Sequence, residues 1–440
     1  MKFYLDKNTV ITSIGQNQYN ISNKSDGRAI TIDETGLDFI HAVDYMPISF
    51  SEILQEVIAN YDNSIKDEIS KDLTEFLDFL TKAGFIKSVD ESLHKLQINL
   101  TEKCNERCIH CYIPEEKRCK GGVLDYSLII DTIDDFCKMG GKELVLSGGE
   151  AFLHPNLEQI IEYAASKKCD ISILSNLSLL DESMLRIIKK HHIEVQTSLF
   201  STNEIIHDSI TCRAGSCHKT MDAIRTLCHA GVPVTISCIV MRTNKNDFTG
   251  VLDFGKQTGA AVQCNCGLNM DLDFNTKNIS NRLTEEEVRD FYVTLFNHQL
   301  MLGNKSFTLR THDVSSMTNS PEWYGKQYPC LEIHNSCSIN GNGDICPCGS
   351  FGLVMGNIKT KSLKEIWHEA TLNNDIFKLL NDDMGICASC ENYEFCYVCP
   401  SVKYNSGKGD FAKIDAYMCR IAQIASEVEN KFNDEKTQLK

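Results

Sequence analysis

The middle of the chain, from Leu96 to about Gly303, alternates between short strand-like runs and longer helix-like segments. Apolar residues recur every three or four positions in the longer segments. Strands separated by helices in this way form parallel βα units, because each helix carries the chain back across the sheet. The pattern predicts an α/β fold with six such units. The predicted strands are Leu96–Leu100, Glu143–Leu146, Asp170–Leu174, Glu194–Leu199, Val232–Val240 and Ala260–Cys264, and the predicted helices are Ser127–Met139, Leu157–Lys167, Glu182–Lys190, Lys219–Ala230 and Asp247–Thr258.

Changes in this pattern divide the 440 residues into three predicted domains, at 1–88, 95–303 and 304–432. Residues 95–303 are predicted to form a partial (β/α)6, TIM-like barrel. Residues 1–88 form a small α+β module, and the segment from 304 onward is a cysteine-rich domain that needs metal to fold. The polar tail after Phe432 is expected to fray. The strands predicted in the first module are Thr9–Ser13, Tyr19–Ser22 and Ala29–Ile32, and its predicted helices are Ser51–Tyr61 and Ile69–Ala83.

Composition narrows the class of protein. Hydrophobic residues make up 42% and charged residues 24% of the chain, as in ordinary globular proteins. A net charge of -16 argues against a nucleic-acid partner. No apolar stretch is long enough for a signal peptide or a membrane span, so we expect a cytoplasmic protein without a membrane partner. In a reducing cytoplasm, 21 cysteines indicate metal ligands and core residues rather than disulfides.

Three cysteines follow the first predicted strand in a CxxxCxxC pattern, at Cys104, Cys108 and Cys111. Three thiolates on one loop can bind three irons of a [4Fe–4S] cluster and leave the fourth iron open. An open metal position is typical of a reactive site, and chemistry is placed where barrel strands end. A zinc site or three unrelated buried thiols are the alternatives.

With Tyr112 directly after it, this cysteine loop resembles the signature of the radical S-adenosylmethionine (SAM) superfamily. The second strand ends in Gly148-Gly149-Glu150, which is similar to the GGE motif of that family. The resemblance implies reductive cleavage of SAM at the open iron, with SAM bound along the strand ends. The alternative for Ser198 is a plain strand-end hydroxyl, and the alternative for Arg213 is a solvated charge on a loop. No catalytic residue is assigned. The implied SAM-binding residues are Tyr112, Gly148, Gly149, Glu150, Ser175, Asn176, Ser198 and Arg213.

The cysteines of the last segment resemble the SPASM extension of radical SAM enzymes, which holds two auxiliary [4Fe–4S] clusters; a zinc ribbon is the alternative. The resemblance implies three [4Fe–4S] clusters in all. A cysteine expected just before Cys330 is absent, and Trp323 and Tyr324 stand there instead. The second auxiliary cluster could take its fourth ligand from Cys337, from Cys346 or from a substrate thiolate. The implied ligands are Cys387, Cys390, Cys396 and Cys419 for one cluster, and Cys330, Cys348 and Cys399 for the other.

The order of elements in residues 1–88 resembles the PqqD-like, winged-helix-like domain of peptide maturases. Such a domain binds a leader peptide as an added strand at a sheet edge. A winged helix that binds DNA or forms dimers is the alternative.

Together these features identify a resemblance to radical SAM/SPASM maturases of ribosomally synthesised peptides, of the sactipeptide and ranthipeptide type. The expected product is a thioether, or else a carbon–carbon crosslink. The implied partners are a precursor peptide with a leader and an electron donor such as flavodoxin or ferredoxin. A formylglycine-forming, sulfatase-maturing enzyme and a zinc-stabilised binding protein without catalysis are the alternatives. Cys264 and Cys266 fall at the end of the sixth predicted strand, where a role at the active site is possible, and the sequence leaves their roles open.

Overall fold

A computed structural model describes residues 2–6, 8–24, 26–43, 48–89, 93–304, 306–311, 328–396 and 399–438. The chain separates into two compact units. Within the described ranges, no helix is both long and apolar enough to cross a membrane. The first unit comprises residues 1–92, 313–334 and 378–390, and the second comprises residues 93–312, 335–377 and 391–440.

In its described residues, the first unit contains two small antiparallel sheets and three α-helices. One sheet has the strand order β5-β1-β6 and the other the order β2-β3-β4. The three strands and two helices predicted here are confirmed to within three residues, whereas β1, β5, β6 and α1 were not predicted. The elements are β1 (Lys2–Leu5), β2 (Thr9–Gly15), β3 (Gln18–Asn23), β4 (Ala29–Ile32), α1 (Glu34–His41), β5 (Ile48–Ser49), α2 (Phe50–Ile58), α3 (Lys66–Lys82) and β6 (Ile86–Val89).

Local sequence explains how these helices begin and end. A capping box starts α2, in which Glu52 N–H donates to Ser49 Oγ at 3.3 Å and Ser49 N–H donates to Glu52 Oε2 at 2.9 Å. Helix α3 buries Leu73, Leu77 and Leu80 on one face, at the spacing of an amphipathic helix. Gly84 follows α3 with φ +78, a left-handed conformation that suits glycine after a helix end.

The second unit is built on a nine-stranded sheet with the order β12-β11-β10-β9-β8-β7-β13-β14-β15. Its first six strands in sequence are parallel and adjacent in chain order. All six predicted strands are confirmed to within two residues. The strands are β7 (Lys95–Asn99), β8 (Glu143–Ser147), β9 (Asp170–Leu174), β10 (Glu194–Ser198), β11 (Val234–Ile239), β12 (Ala261–Asn265), β13 (Ser336–Ile339), β14 (Asp344–Cys346) and β15 (Gly356–Asn357).

Strand β13 comes from the cysteine-rich part of the chain and pairs in parallel with β7, so that Ile339 lies opposite Ile98. Strands β14 and β15 then add antiparallel. The cysteine-rich segment therefore extends the central sheet.

Eleven α-helices accompany this sheet in the part of the chain that the structure describes. The five predicted helices, which correspond to α5, α6, α7, α9 and α10, are confirmed to within three residues. The eleven helices are α4 (Glu115–Lys120), α5 (Tyr126–Lys138), α6 (Leu157–Ser166), α7 (Glu182–Lys190), α8 (Glu204–Thr211), α9 (Ser216–His229), α10 (Phe248–Thr258), α11 (Glu285–Met301), α12 (Leu363–Asn373), α13 (Pro400–Gly407) and α14 (Ala416–Gln438).

The expectation that the chain frays after Phe432 is wrong, because α14 continues to Gln438. Phe432 stacks on Phe296 of α11, with ring centroids 4.4 Å apart. Ile421, Ile424 and Val428 of α14 are buried as well. The packing of α14 against α11 thus extends as far as Phe432, and the helix continues beyond it.

Candidate active site

A cavity of about 390 Å³ lies where the parallel strands of the second unit end. Parallel strands bring their carboxyl ends to one edge of a sheet, which explains why residues far apart in sequence meet here. Nine of the predicted residues line it: Cys104, Cys108, Cys111, Tyr112, Gly148, Gly149, Ser175, Asn176 and Ser198. Sequence reasoning missed other lining residues, among them Gln196, Thr197, Phe200, Ser237, Ile239, Asn269, Met270, Ser350, Ser401 and Asn405.

The end of α8 holds the cysteine loop by backbone hydrogen bonds. Ile109 N–H donates to the Ile210 carbonyl at 3.0 Å. Just beyond, Arg213 Nη1 donates to the Asn105 carbonyl at 2.6 Å. Arg213 is not among the cavity-lining residues. Its guanidinium therefore supports the cysteine loop, and the SAM contact that the resemblance implies stays a prediction.

The two glycines of the GGE motif lie directly against the cysteine loop. A Cβ atom at Gly148 would stand 2.4 Å from the Thr101 carbonyl oxygen, and one at Gly149 would stand 2.4 Å from the Glu102 carbonyl oxygen. Gly149 N–H also donates to the Thr101 carbonyl at 2.7 Å. Only glycine fits between these backbones, so the motif is required for packing as well as for access to the cavity.

Glu150, the third residue of the motif, is buried and lies outside the cavity lining. Its Oε1 accepts from Ser175 Oγ at 2.6 Å, and its Oε2 accepts from Asn176 N–H at 2.8 Å. Burial raises the pKa of Glu150, although these hydrogen bonds favour the charged form. The carboxylate thus fixes the end of β9, whose Ser175 and Asn176 face the cavity.

The thiols of the loop are costly to ionise in the protein alone. Burial raises the pKa of Cys104 to about 12 and also raises those of Cys108 and Cys111. Burial, followed by the charge of Glu150, raises the pKa of Glu106 to about 7. The buried Glu106 Oε1 and His110 Nδ1 have no hydrogen-bond partner among the described residues.

These features test whether an iron–sulfur cluster fits. Cysteine binds iron as thiolate, and a cationic metal centre would offset the cost of ionising the buried thiols. The three thiols line one cavity, and Cys104 and Cys111 lie near enough to Cys108 to raise its pKa. Three neighbouring thiols suit a cluster in which each binds a different iron. The donor set therefore fits the implied group.

The second cysteine array is distributed over both units. Cys330, Cys387 and Cys390 belong to the first unit, and Cys348, Cys396, Cys399 and Cys419 belong to the second. Cys337 and Cys346 are buried in β13 and β14. Trp323 and Tyr324 lie outside the described residues.

Tyr112 lies where the second cysteine array comes close to the cysteine loop. Although 36% of Tyr112 is exposed, desolvation of its hydroxyl raises its pKa, and the nearby Cys111 and Cys348 thiols raise it further. Ser350 and Ser401, two residues beyond Cys348 and Cys399, line the cavity. The cysteine-rich segment thus contributes to the cavity wall.

Cys264 and Cys266, whose roles the sequence leaves open, lie away from the cavity. Neither residue lines the cavity. Ser237 and Ile239 of β11 face it, so the intervening Cys238 points the other way, and Cys264 lies opposite Cys238 in register. Cys266 is buried with its Sγ 3.9 Å from Tyr292 Oη.

Comparison with known proteins agrees with this geometry. Residues 98–255 match the Radical SAM superfamily, and residues 330–391 match the SPASM iron–sulfur cluster-binding domain. The fold and the site therefore define a radical SAM enzyme. Residues 13–86 match coenzyme PQQ synthesis protein D (PqqD). With all three domains, the chain is similar to the radical SAM/SPASM maturases of ribosomally synthesised peptides.

Individual relatives are distant. An AdoMet-dependent heme synthase of Methanosarcina barkeri is 23% identical over 341 residues, covering 72% of this chain and 94% of that protein. The antilisterial bacteriocin subtilosin biosynthesis protein AlbA of Bacillus subtilis is 33% identical over 147 residues, a third of each chain. The crystal structure of Streptococcus suis SuiB bound to precursor peptide SuiA superposes with a TM-score of 0.59 at 15% identity, covering 95% of this chain and 100% of that one. At that identity the superposition shows a shared fold.

Proposed function

We propose that this chain matures a ribosomally synthesised precursor peptide by joining a cysteine sulfur of the peptide to one of its carbon atoms. A carbon–carbon crosslink is the second candidate product. One observation carries the proposal: a single cavity is lined by the CxxxCxxC thiols and by Ser350, Ser401 and Asn405 of the cysteine-rich segment. A substrate in that cavity would lie between the SAM site and the auxiliary ligands.

In this proposal Cys104, Cys108 and Cys111 hold one [4Fe–4S] cluster, and the seven cysteines named above hold two more. When bound, the first cluster and SAM supply a 5′-deoxyadenosyl radical that removes one hydrogen atom from substrate carbon. The Gly148-Gly149 backbone, Ser175, Asn176 and Ser198 bind and orient SAM, because they present polar groups around the cavity. Glu150 and Arg213 act as positioning residues behind that wall.

Formation of the carbon–sulfur bond removes two hydrogens from the peptide in total. The first leaves as a hydrogen atom on deoxyadenosine, and the thiol proton leaves to solvent. An auxiliary cluster held by the cysteine-rich segment would take up the remaining electron, and an external donor such as flavodoxin or ferredoxin would supply the electron that starts each cycle. Such clusters and 21 thiols suit the reducing cytoplasm.

The domain assignment follows the same proposal. Residues 1–88 form a winged-helix-like module that binds the leader, residues 95–303 form a partial (β/α)6 barrel, and residues 304–432 carry the auxiliary clusters. Six parallel strands in chain order support the barrel. Two small antiparallel sheets in the first unit offer edges for an added leader strand.

The sulfatase-maturing alternative is not favoured, because the chain carries a PqqD domain and lacks the cysteine expected upstream of Cys330. The zinc-stabilised binding protein is tested directly by metal content. About twelve irons per anaerobically reconstituted chain, with SAM cleavage, are expected for three clusters. Colourless protein with stoichiometric zinc would refute the enzyme.

The reaction is tested by co-expression with a short peptide encoded beside this gene. Mass spectrometry should show the loss of two hydrogens per crosslink. Replacement of Cys104 by Ser should abolish both deoxyadenosine release and the mass change, whereas replacement of the exposed Cys119 by Ser should leave both intact. Deoxyadenosine release that persists without Cys104 would contradict the proposal.

A further inference from the structure

Ser401 contacts the sulfur of one proposed auxiliary ligand. The Ser401 Oγ lies 3.0 Å from Cys399 Sγ, and Ser401 is 1% exposed. Among the residues that the structure describes, Cys399 Sγ is the one hydrogen-bonding partner found for this hydroxyl. Cysteine that binds iron does so as thiolate, an acceptor that has no proton to donate. The hydroxyl must then be the donor.

The local sequence makes Ser401 the group suited to this contact. Cys399 is the N-cap of α13, and Pro400 occupies the first helical position. Proline has no N–H, so the backbone nitrogen of the residue that follows Cys399 cannot donate a hydrogen bond to the Cys399 sulfur. The side chain of Ser401, one position later, supplies a donor in its place. The N-terminal end of α13 also favours negative charge on Cys399.

We propose that Ser401 hydrogen-bonds to the ligating Cys399 thiolate and raises the reduction potential of the auxiliary cluster to which Cys399 belongs. This inference rests on the proposed function, since it takes Cys399 as an iron ligand. Reduction adds negative charge to a cluster and its thiolates, and a hydrogen bond to a ligating sulfur stabilises that charge. Loss of the donor therefore lowers the potential.

The position of Ser401 relates the raised reduction potential to the reaction. Ser401 also lines the cavity in which the substrate would react. A cluster of higher potential accepts the electron left after bond formation more readily. In this proposal Ser401 is a positioning residue, because it acts through Cys399.

The test uses the full chain with its clusters reconstituted anaerobically. Replacement of Ser401 by Thr keeps the hydroxyl, whereas replacement by Val gives nearly the same shape without it. Ser406→Ala is the matched control, because this serine lies on the same helix and donates to the Val402 carbonyl. Potentiometric titration followed by electron paramagnetic resonance measures the potential of each cluster. Ser401→Val should lower one auxiliary potential, while Ser401→Thr and Ser406→Ala should leave all potentials at their original values.

The outcomes separate this inference from the proposed function. A native chain that binds only about four irons would refute the auxiliary clusters themselves. About twelve irons with equal potentials in Ser401→Val and Ser401→Thr would overturn the role of the Ser401 hydroxyl alone. A valine variant that loses one cluster, while the threonine variant retains it, would support that role through iron content.

Discussion

Arg282 joins the active-site wall to the start of α14 through a buried ion pair. Its Nη1 and Nη2 lie 3.2 and 2.6 Å from the two Asp415 oxygens, with the side chains only 14% and 11% exposed. Nε and Nη2 also donate to the carbonyl of Leu268, a cavity-lining residue, at 2.9 and 2.7 Å. The guanidinium lies 4.3 Å from the Tyr417 ring centroid. One side chain therefore connects three segments.

We expect Arg282→Leu to destabilise the second unit substantially. Removal of one partner from a buried pair costs about 3–5 kcal/mol, because the other charge stays buried without compensation. Loss of the cation–π contact adds about 0.5–2 kcal/mol. At roughly 2–4 °C per kcal/mol, the melting temperature should fall by about 10 °C or more.

Differential scanning calorimetry of the reconstituted chain measures this effect. The double variant Arg282→Leu/Asp415→Leu should be less destabilised than Arg282→Leu, because no unpaired carboxylate remains. Arg289→Leu is the matched control, since its pair with Glu427 also joins α11 to α14 but is 43% and 38% exposed. That pair should contribute no more than about 1 kcal/mol. Equal melting temperatures for the Arg282 and Arg289 variants would refute the reasoning.

Three further predictions concern the cysteine loop and its supports. Gly149→Ala should reduce the iron content of the reconstituted chain, because the new Cβ would lie 2.4 Å from the Glu102 carbonyl oxygen. Iron analysis measures this effect, and an unchanged iron content would contradict the packing role of Gly149. Arg213→Ala should speed the loss of the cluster, because Arg213 donates a hydrogen bond to the Asn105 carbonyl in the cysteine loop. Absorbance decay measures this loss, and equilibrium dialysis should show a smaller effect on SAM binding. A larger effect on SAM binding than on cluster loss would indicate a direct SAM contact. Burial alone would raise the pKa of Asp208, but hydrogen bonds from the start of α9 lower it below the usual range of an aspartate. The contribution of Asp208 to stability is therefore present above the unfolded pKa of about 4 and lost as the pH falls through the folded pKa. Asp208→Asn should be destabilised at about pH 7, and chemical denaturation should show this difference shrinking as the pH falls below about 4; a difference that does not change with pH would contradict the prediction.

Elements defined by local sequence were predictable. The six parallel strands and five of the helices between them follow from hydrophobic periodicity, which depends on each segment's own residues. Strand β5 has only two residues, too few to show a period. Helix α14 continues past Phe432 to Gln438, although the polar sequence there favours disorder.

The candidate site likewise has one part that the sequence predicts and another that depends on tertiary structure. By itself the sequence determined the thiol trio Cys104, Cys108 and Cys111, because ligands on one short loop are brought together by the loop itself. Tertiary structure alone decided that Glu150 turns away from the cavity to hold β9, and that Ser401 reaches the cavity from a segment almost 300 residues further along the chain. Such contacts depend on how strands and helices pack against each other, and no local pattern encodes them.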